Sequence, residues 1–151
     1  PCGTLFPYTT LFRSDRGGGP FGALIVHNDK IIAEAGNEVT LSNDPTAHAE
    51  ILAIRKASEV LSDYDLSECI LYTSCEPCPM CLGAVYWSHI KAVFYSATHL
   101  DAMKAGFDDT DIYKQLNLPV NKRSIIMKQF KPEDGLKAFE KWLQKPDKTE
   151  Y

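Results

Sequence analysis

The chain has 151 residues, which is enough for about one domain, and a domain of this size buries roughly two thirds of its extended surface. Apolar residues make up 44% of the sequence and charged residues 24%, which excludes a disordered, collagen-like or coiled-coil protein. The 16 basic and 20 acidic residues leave a net charge of −4, which disfavours a nucleic-acid partner because such sites cluster Lys and Arg. The sequence therefore predicts one globular domain with an acidic surface.

Two further features bear on where the protein works. The longest apolar run, residues 80–87, is far shorter than the ~18 residues of a membrane-spanning helix, so we expect no membrane contact. Three of the five cysteines, Cys75, Cys78 and Cys81, fall at every third position, which favours metal ligation over the dispersed, paired cysteines of a disulfide framework. We therefore expect a cytoplasmic protein with a metal site.

The N-terminal segment, residues 1–15, differs from the rest of the chain. It begins without Met and has neither helical nor strand periodicity, so we interpret it as an atypical segment that need not be native. Residues 16–151 show no internal repeat and no second domain. We expect them to form a single domain that ends in a polar tail.

From residue 21 onwards the pattern becomes regular. Two apolar runs, residues 21–27 and 30–39, flank a short turn and predict a β-hairpin. Apolar residues then recur at helical spacing over residues 45–60, and Asp44 is placed to cap the first amides. The first third of the domain is therefore expected to be a hairpin followed by a helix.

The middle of the chain predicts a β-α-β unit. Strand-like runs at residues 69–74 and 91–96 flank an apolar helix within residues 75–89. A right-handed crossover would make the two strands a parallel pair at the centre of the sheet. The C-terminal third predicts a short helix, a fifth strand and a final helix, at residues 109–116, 124–130 and 132–144.

Two short motifs carry the chemistry, and each begins a predicted helix. The first is HAE at residues 48–50, and the second is PCPMC at residues 77–81. Zinc accepts imidazole and thiolate ligands, and a helix N-terminus stabilises a thiolate. His48, Cys78 and Cys81 would supply three ligands, which leaves the fourth tetrahedral position open for water, as in catalytic zinc sites.

The residues themselves leave two questions open. Glu50 lies two positions after His48, about 200° around a helix, so it adjoins the metal only if the first turn is shared with the loop or the metal lies near the helix end. Cys75 is either a fourth ligand or a small buried residue, and we favour burial because a further cluster cysteine is missing. The other histidines lack partners at ligand spacing, which predicts surface or hydrogen-bonded core positions for His27, His89 and His99.

The two motifs together resemble the H-x-E and P-C-x-x-C signature of zinc nucleobase deaminases. Within that superfamily, GGPFGALIV, GNEVTLSNDPTAHAE, TSCEPCPMCLGAVYW, AGFDDTDIY and the terminal TEY are most similar to bacterial guanine deaminases. The resemblance covers nearly all of the chain after residue 15, but residues 1–17 differ from the first helix of that family. It implies a cytidine deaminase-like, three-layer α/β/α fold with a five-stranded mixed sheet.

The resemblance also implies roles for individual residues. His48, Cys78 and Cys81 would bind one zinc ion per subunit, and Glu50 would carry protons between water and the base. Asp109 would accept hydrogen bonds from guanine N–H groups, whereas adenine presents an acceptor at N1. The family forms homodimers in which the C-terminal tail of each chain crosses to the other subunit. The residues expected to bind the purine base are Phe21, Asn37, Trp87, Asp109 and Tyr151.

Each of these base-binding residues also has a structural interpretation. Asn37 is suited to pair with backbone amides at a strand end, and Asp109 is suited to cap a helix. Phe21 and Trp87 are core aromatics by default, and a terminal residue such as Tyr151 is usually poorly ordered.

Two other functions fit the same motifs. A tRNA-editing adenosine deaminase shares them, but it would be expected to carry a basic surface for phosphates. A catalytically inactive, zinc-stabilised binding module would keep the ligands without turnover. The acidic charge favours a free purine base over tRNA, and Glu50 beside an open zinc position favours an enzyme. We therefore expect zinc-dependent hydrolysis of guanine to xanthine and ammonia.

Overall fold

The predicted hairpin is present in the computed structural model, which describes residues 17–150. Strands β1 (Gly22–His27) and β2 (Lys30–Gly36) pair antiparallel. The two turn residues between them, Asn28 and Asp29, have φ values of 49° and 58°, in the left-handed region that Asn and Asp tolerate. The local turn chemistry therefore sets the hairpin, as predicted.

A long helix follows the hairpin, but it begins later than we expected. A short helix, α1 (Val39–Ser42), precedes α2 (Ala49–Leu61), whereas the sequence indicated a start at residue 45. Asp44 does not cap α2, because its carboxylate accepts the backbone N–H and the hydroxyl of Thr46 at 2.8 and 2.7 Å. This contact closes a turn ahead of the helix. His48 consequently becomes the N-cap residue of α2.

The predicted β-α-β unit is confirmed. Strand β3 (Cys69–Cys75) leads into α3 (Pro79–Trp87), and β4 (Ala92–Ala97) returns parallel to β3 before a short helix, α4 (His99–Lys104). The strand order in the sheet is β2-β1-β3-β4. Since β1 pairs antiparallel with both β2 and β3, the sheet is mixed. A mixed sheet flanked by helices is the predicted α/β architecture.

The core lies between the sheet and α2. Three alanines spaced four residues apart on one face of α2 are fully buried, and they cluster with Ile25 of β1 and Leu71 of β3. Val85 of α3 joins the same cluster, so both helices that begin at the motifs are anchored on one core. The alanines are Ala49, Ala53 and Ala57.

The fifth strand expected at residues 124–130 is absent from the described chain, so the sheet has four strands rather than five. Ile125, Ile126 and Phe130 are 75%, 82% and 81% exposed. A strand depends on hydrogen bonds to a neighbouring strand, and no strand among residues 17–150 pairs with this segment. The apolar, β-branched composition that predicted a strand was insufficient without that neighbour.

The described chain divides into two compact units, one up to Asp109 and one from Thr110. The second unit contains α5 (Thr110–Leu116), a 3₁₀ turn (Val120–Lys122) and α6 (Pro132–Leu143), which confirms both helices predicted there. None of residues 110–150 is buried. Across the described part of the chain, no helix has the length and apolar character needed to cross a membrane. The atypical segment at residues 1–15 and Tyr151 lie outside the described residues.

Candidate active site

His48 and Glu50 lie at the start of α2, just after the turn closed by Asp44. His48 is the N-cap residue with an extended backbone (ψ of 152°), and Glu50 lies in the first turn of the helix. Because His48 is not in helical conformation, the two side chains do not differ by the 200° rotation of two helical residues, and both line one cavity. This arrangement answers the question that helical periodicity left open.

Cys78 and Cys81 lie at the start of α3. Cys78 is the N-cap residue, Pro79 begins the helix, and Cys81 is fully buried. The hydrogen bond from Cys81 and a second one from His48 lower the pKa of Cys78 to about 4. The same Cys78–Cys81 bond, together with burial, raises the pKa of Cys81. Cys78 is therefore the more acidic thiol of the pair, and a helix N-terminus stabilises a thiolate at its position.

The spacing of these side chains fits a tetrahedral zinc ion. His48 Nδ1 lies 3.6 Å from Cys78 Sγ and 3.5 Å from Cys81 Sγ, and all three ligand atoms lie within 4.8 Å of one another. Zn–S bonds of about 2.3 Å and Zn–N bonds of about 2.0–2.1 Å, at a tetrahedral angle, place N and S about 3.6 Å apart. The donor types and their separation therefore both match a zinc site with three protein ligands.

Glu50 is a buried carboxyl group beside this site. It is 6% exposed, and the Thr73 hydroxyl donates to its Oε1 atom over 3.4 Å. Burial raises the pKa of Glu50 above the usual value for a glutamate. A carboxyl group with a raised pKa is a stronger base than an ordinary glutamate, which is a property a proton carrier needs.

A cavity of about 320 Å³ opens beside the motif residues, within the range of about 300–1,000 Å³ typical of small-molecule pockets. Part of its wall is aromatic, because the rings of Phe21 and Phe107 meet edge to face with centroids 4.8 Å apart and an interplanar angle of 83°. His48, Glu50 and Cys78 line the same cavity. Its size and mixed lining suit a flat, partly polar molecule.

Three of the predicted base-binding residues, Phe21, Asn37 and Asp109, line this cavity. Asn37 also has the structural role that we considered, since its Oδ1 accepts the Val39 N–H over 3.2 Å. Burial raises the pKa of Asp109, the charge of Cys78 adds to this effect, and His99 opposes it. Contact of Phe21, Asn37 and Asp109 with a base stays a prediction.

Trp87 and Tyr151 are not brought to the cavity by the described chain. Trp87 is 67% exposed and ends α3, about 9–14 Å along the helix from Cys81 and Cys78, and it is not among the residues that line the cavity. The expectation that Trp87 lines the purine slot is therefore not met within one chain. Tyr151 lies outside the described residues, and its role stays a prediction.

The remaining cysteine of the cluster and two of the other histidines have structural environments. Cys75 is 6% exposed, donates its S–H to the Thr98 carbonyl oxygen over 3.5 Å, and is not in the metal-ligand group. Burial raises its pKa, which disfavours a thiolate. His27 and His89 lie near Asn28 and Asp65 respectively, at 3.4 and 3.7 Å. The structure thus agrees with packing for Cys75 and polar contacts for these histidines.

The sequence did not indicate that Glu76 and His99 belong to the cavity wall. They are 23 positions apart in sequence, yet His99 Nδ1 lies 2.8 Å from Glu76 Oε2 and both residues line the cavity. Hydrogen bonding to each other raises the pKa of His99 and lowers that of Glu76. One signal was available, because the carboxyl ends of adjacent parallel strands meet at one sheet edge, and these residues follow β3 and β4.

Comparisons with known proteins agree with this site. Residues 9–97 match the family model for the cytidine and deoxycytidylate deaminase zinc-binding region. Guanine deaminase from Bacillus subtilis is 58% identical over 134 residues, which cover 89% of this chain and 86% of that protein. A tRNA-specific adenosine deaminase from Aquifex aeolicus is 34% identical over 131 residues, which cover 87% of this chain and 84% of that one.

A solved structure extends the similarity to the fold. The X-ray structure of guanine deaminase from Bacillus subtilis superposes with a TM-score of 0.88 and 57% sequence identity, covering 91% of this chain and 88% of that chain. The four-stranded sheet and its flanking helices are therefore those of a cytidine deaminase-like fold.

Proposed function

The chain belongs to the cytidine and deoxycytidylate deaminase family, on its guanine deaminase branch, and we propose that it hydrolyses guanine to xanthine and ammonia. The observation that carries this proposal is that His48, Cys78 and the buried Glu50 line one cavity of about 320 Å³, while Cys81 lies with His48 and Cys78 in one group of possible metal ligands. Guanine and water give xanthine and ammonia, so the reaction needs no redox partner. It requires a polarised water, a proton carrier and a slot for the base.

His48, Cys78 and Cys81 are the residues that would hold zinc in this mechanism. Bound there, zinc would supply a Lewis acid that lowers the pKa of a water molecule toward ~7. Two thiolates offset the charge of the ion, so the attack on C2 of guanine depends strongly on a nearby base. Glu50 meets that need from the same cavity.

Glu50 moves two protons in the proposed reaction. Its carboxylate first takes a proton from the attacking water and gives it to a ring nitrogen of guanine. It then takes the proton of the hydroxyl group now on C2 and gives it to the amine, which leaves as ammonia while C2 becomes a carbonyl carbon. The Thr73 hydroxyl lies 3.4 Å from Glu50 Oε1 and 3.3 Å from the Gly22 carbonyl oxygen, so its one hydrogen is shared between these two acceptors. The raised pKa of Glu50 suits its carboxyl group to accept and pass on a proton.

The cavity wall accounts for the choice of guanine. Asp109 accepts the N–H groups that guanine carries at N1 and N2, whereas an adenine edge would leave an acceptor facing a carboxylate. The Asn37 side chain uses Oδ1 for the Val39 N–H, so its amide nitrogen is the donor for an acceptor on the base. Phe21 and Phe107, whose rings meet edge to face, would both pack against the purine ring.

The proposal includes a homodimer in which each C-terminal tail reaches the site of the other chain. Leu136, Phe139 and Leu143 share one face of α6 and are 58%, 68% and 66% exposed. A stripe of this kind is the apolar face of an amphipathic helix, and a partner chain would cover it. The dimer would also supply Tyr151 to the cavity. We place the protein in the cytoplasm, where a reducing environment preserves the ligand thiols.

A substrate panel tests the proposed activity. Zinc-loaded protein is incubated with guanine, adenine, cytosine and an adenosine-containing RNA hairpin, and released ammonia is measured. We expect ammonia from guanine alone. Release from the hairpin without guanine turnover would instead establish the tRNA deaminase that the similarity to the Aquifex aeolicus protein makes the second candidate. Stoichiometric zinc with no turnover of any substrate would establish an inactive binding module.

A further inference from the structure

We propose that Glu76 and His99 form a positioning pair that fixes the cavity wall carrying Phe107 and Asp109 against the zinc-ligand loop. This inference rests on the proposed function, because its effect is on the placement of the purine base. Neither residue is assigned to metal binding or to proton transfer above. The pair sets where the base lies relative to Glu50.

The pair is held by two contacts that start from one carboxylate oxygen. Glu76 Oε2 accepts the His99 imidazole Nδ1–H over 2.8 Å and the His99 backbone N–H over 3.0 Å. The Glu76 backbone is itself fixed, since its N–H donates to the Ala97 carbonyl oxygen over 2.8 Å. A charge-assisted contact of this length is stronger than a neutral hydrogen bond. The loop before Cys78 is thus tied to the start of α4.

The start of α4 in turn determines where Phe107 and Asp109 lie. Thr98 and Asp101 form a capping box at the start of this helix, which makes its first turn rigid. The Phe107 N–H donates to the Ala102 carbonyl oxygen over 3.0 Å, so the segment after α4 follows the helix. Ala102, Phe107 and Asp109 all line the cavity. A shift of α4 would therefore move the wall on which base recognition depends.

A second His–carboxylate pair on the same unit provides a matched control. His89 Nδ1 lies 3.7 Å from Asp65 Oδ1, and neither residue lines the cavity. The side chains of this pair are 48% and 45% exposed, against 39% and 30% for His99 and Glu76. A generic surface ion pair would have the same small effect at either place.

The test compares Glu76→Ala, His99→Ala and the double variant with Asp65→Ala and His89→Ala in the full-length, zinc-loaded protein. We expect each cavity variant to raise KM for guanine roughly 3- to 10-fold with kcat within ~2-fold, and the double variant to add little to either. His99→Asn keeps a donor near the Nδ1 position and should restore KM to within ~2-fold. Hydrogen exchange of amides 99–109 should be faster in both alanine variants, and zinc content and the control variants should be unchanged.

Several outcomes would overturn the proposed positioning role of Glu76 and His99. Unchanged KM with unchanged exchange would show that the pair positions nothing, and additive effects in the double variant would show that the residues act independently. A simultaneous loss of bound zinc and of kcat would show that the pair has a structural role instead. If the alanine variants fail to fold, Glu76→Gln replaces Glu76→Ala in the same measurements. If wild-type protein does not deaminate guanine, the proposed function fails while the exchange measurement still decides whether the pair holds the wall.

Discussion

The chemistry of this protein is concentrated in a few side chains at two helix starts. His48 as the N-cap of α2 and Cys78 as the N-cap of α3 bring an imidazole and a thiolate to 3.6 Å, and Glu50 follows on the first turn. Because Glu50 is 6% exposed, its carboxyl group is removed from water and its pKa is raised. In the proposed mechanism, metal binding and proton transfer belong to different residues and can be separated by mutation.

Glu50→Gln should retain zinc and lose turnover. Glutamine keeps the size and can still accept the Thr73 hydrogen bond, but it cannot carry a proton, so we expect kcat to fall about 10²- to 10⁴-fold. The measurement is kcat with guanine beside zinc content by metal analysis. Glu59→Gln, an exposed change on the same helix, is the control and should behave as wild type. Ammonia release near the wild-type rate would remove Glu50 from the mechanism.

Asp109→Ala should weaken guanine recognition without disturbing the metal. A lost hydrogen-bonding partner for a polar edge costs about 1–3 kcal/mol, which corresponds to roughly a 5- to 150-fold fall in kcat/KM. Zinc content should not change, because the metal-ligand group does not include Asp109. Asp111→Ala, on the exposed surface of α5, is the matched control. An equal fall in both variants would place Asp109 outside the recognition surface.

At the scale of elements, the site depends on where α2 and α3 begin. Both helices are anchored on one core cluster, through the α2 alanines and Val85 of α3. Their N-cap residues are therefore held on a rigid support, which is the condition for a preformed metal site. Cys75, at the end of β3, is a neighbouring thiol that does not belong to the group of possible metal ligands.

Cys78→Ser and Cys75→Ser should differ in zinc binding. Cys78→Ser removes one of three ligands and should abolish stoichiometric zinc and activity, because zinc in such a site requires the thiolate. Cys75→Ser should keep full zinc, since a hydroxyl can still donate to the Thr98 carbonyl oxygen. Metal analysis of the two purified variants gives the comparison. Loss of zinc in Cys75→Ser would point to a fourth protein ligand and a structural metal.

Most elements could be predicted from the sequence where the determinants are local. The hairpin depends on adjacent apolar runs and turn residues, and α3 on Pro79 after an N-cap residue. The predicted start of α2 was wrong because the Asp44 carboxylate accepts hydrogen bonds from Thr46 rather than from the helix amides. The prediction of a strand at residues 124–130 was wrong because pairing with a neighbouring strand, rather than composition, decides whether a strand forms.

The site was predictable to a similar extent. The three ligands lie in compact motifs whose residue types and spacing indicated zinc, whereas the spacing of Glu50 left its position open and its role came from the resemblance. Glu76 and His99 were missed because the fold, and not the sequence, brings together residues 23 positions apart. Trp87 was placed in the slot by resemblance, but its position at the far end of α3 depends on the helix length. Contacts between distant segments require the structure.

Each of the two units exposes large apolar side chains. Phe94 and Tyr95 on the edge strand β4 are each 48% exposed, and α6 carries the exposed stripe already described. An exposed apolar patch on a protein commonly marks an interaction surface. The proposed dimer with exchanged tails accounts for this exposure.

Mixing two inactive variants tests the exchange of tails. The first is Glu50→Gln with its tail intact, and the second keeps Glu50 but lacks residues 145–151. If tails exchange, the first variant supplies its tail to the intact site of the second, and a mixture of equal amounts should recover about a quarter of wild-type activity after subunit exchange. Light scattering should report a dimer for the wild type. A mixture that stays inactive, or a tail-less variant that is fully active alone, would exclude the exchange.

When this protein hydrolyses guanine, the oxygen at C2 of xanthine comes from water. The most direct measurement is the mass of the product formed by zinc-loaded protein in oxygen-18 water, with ammonia measured in the same sample. We expect xanthine carrying one labelled oxygen at C2, with one ammonia per xanthine, and about 10²- to 10⁴-fold slower formation of both products by Glu50→Gln. Xanthine without the label, or no xanthine while ammonia is released from an RNA hairpin, would contradict it.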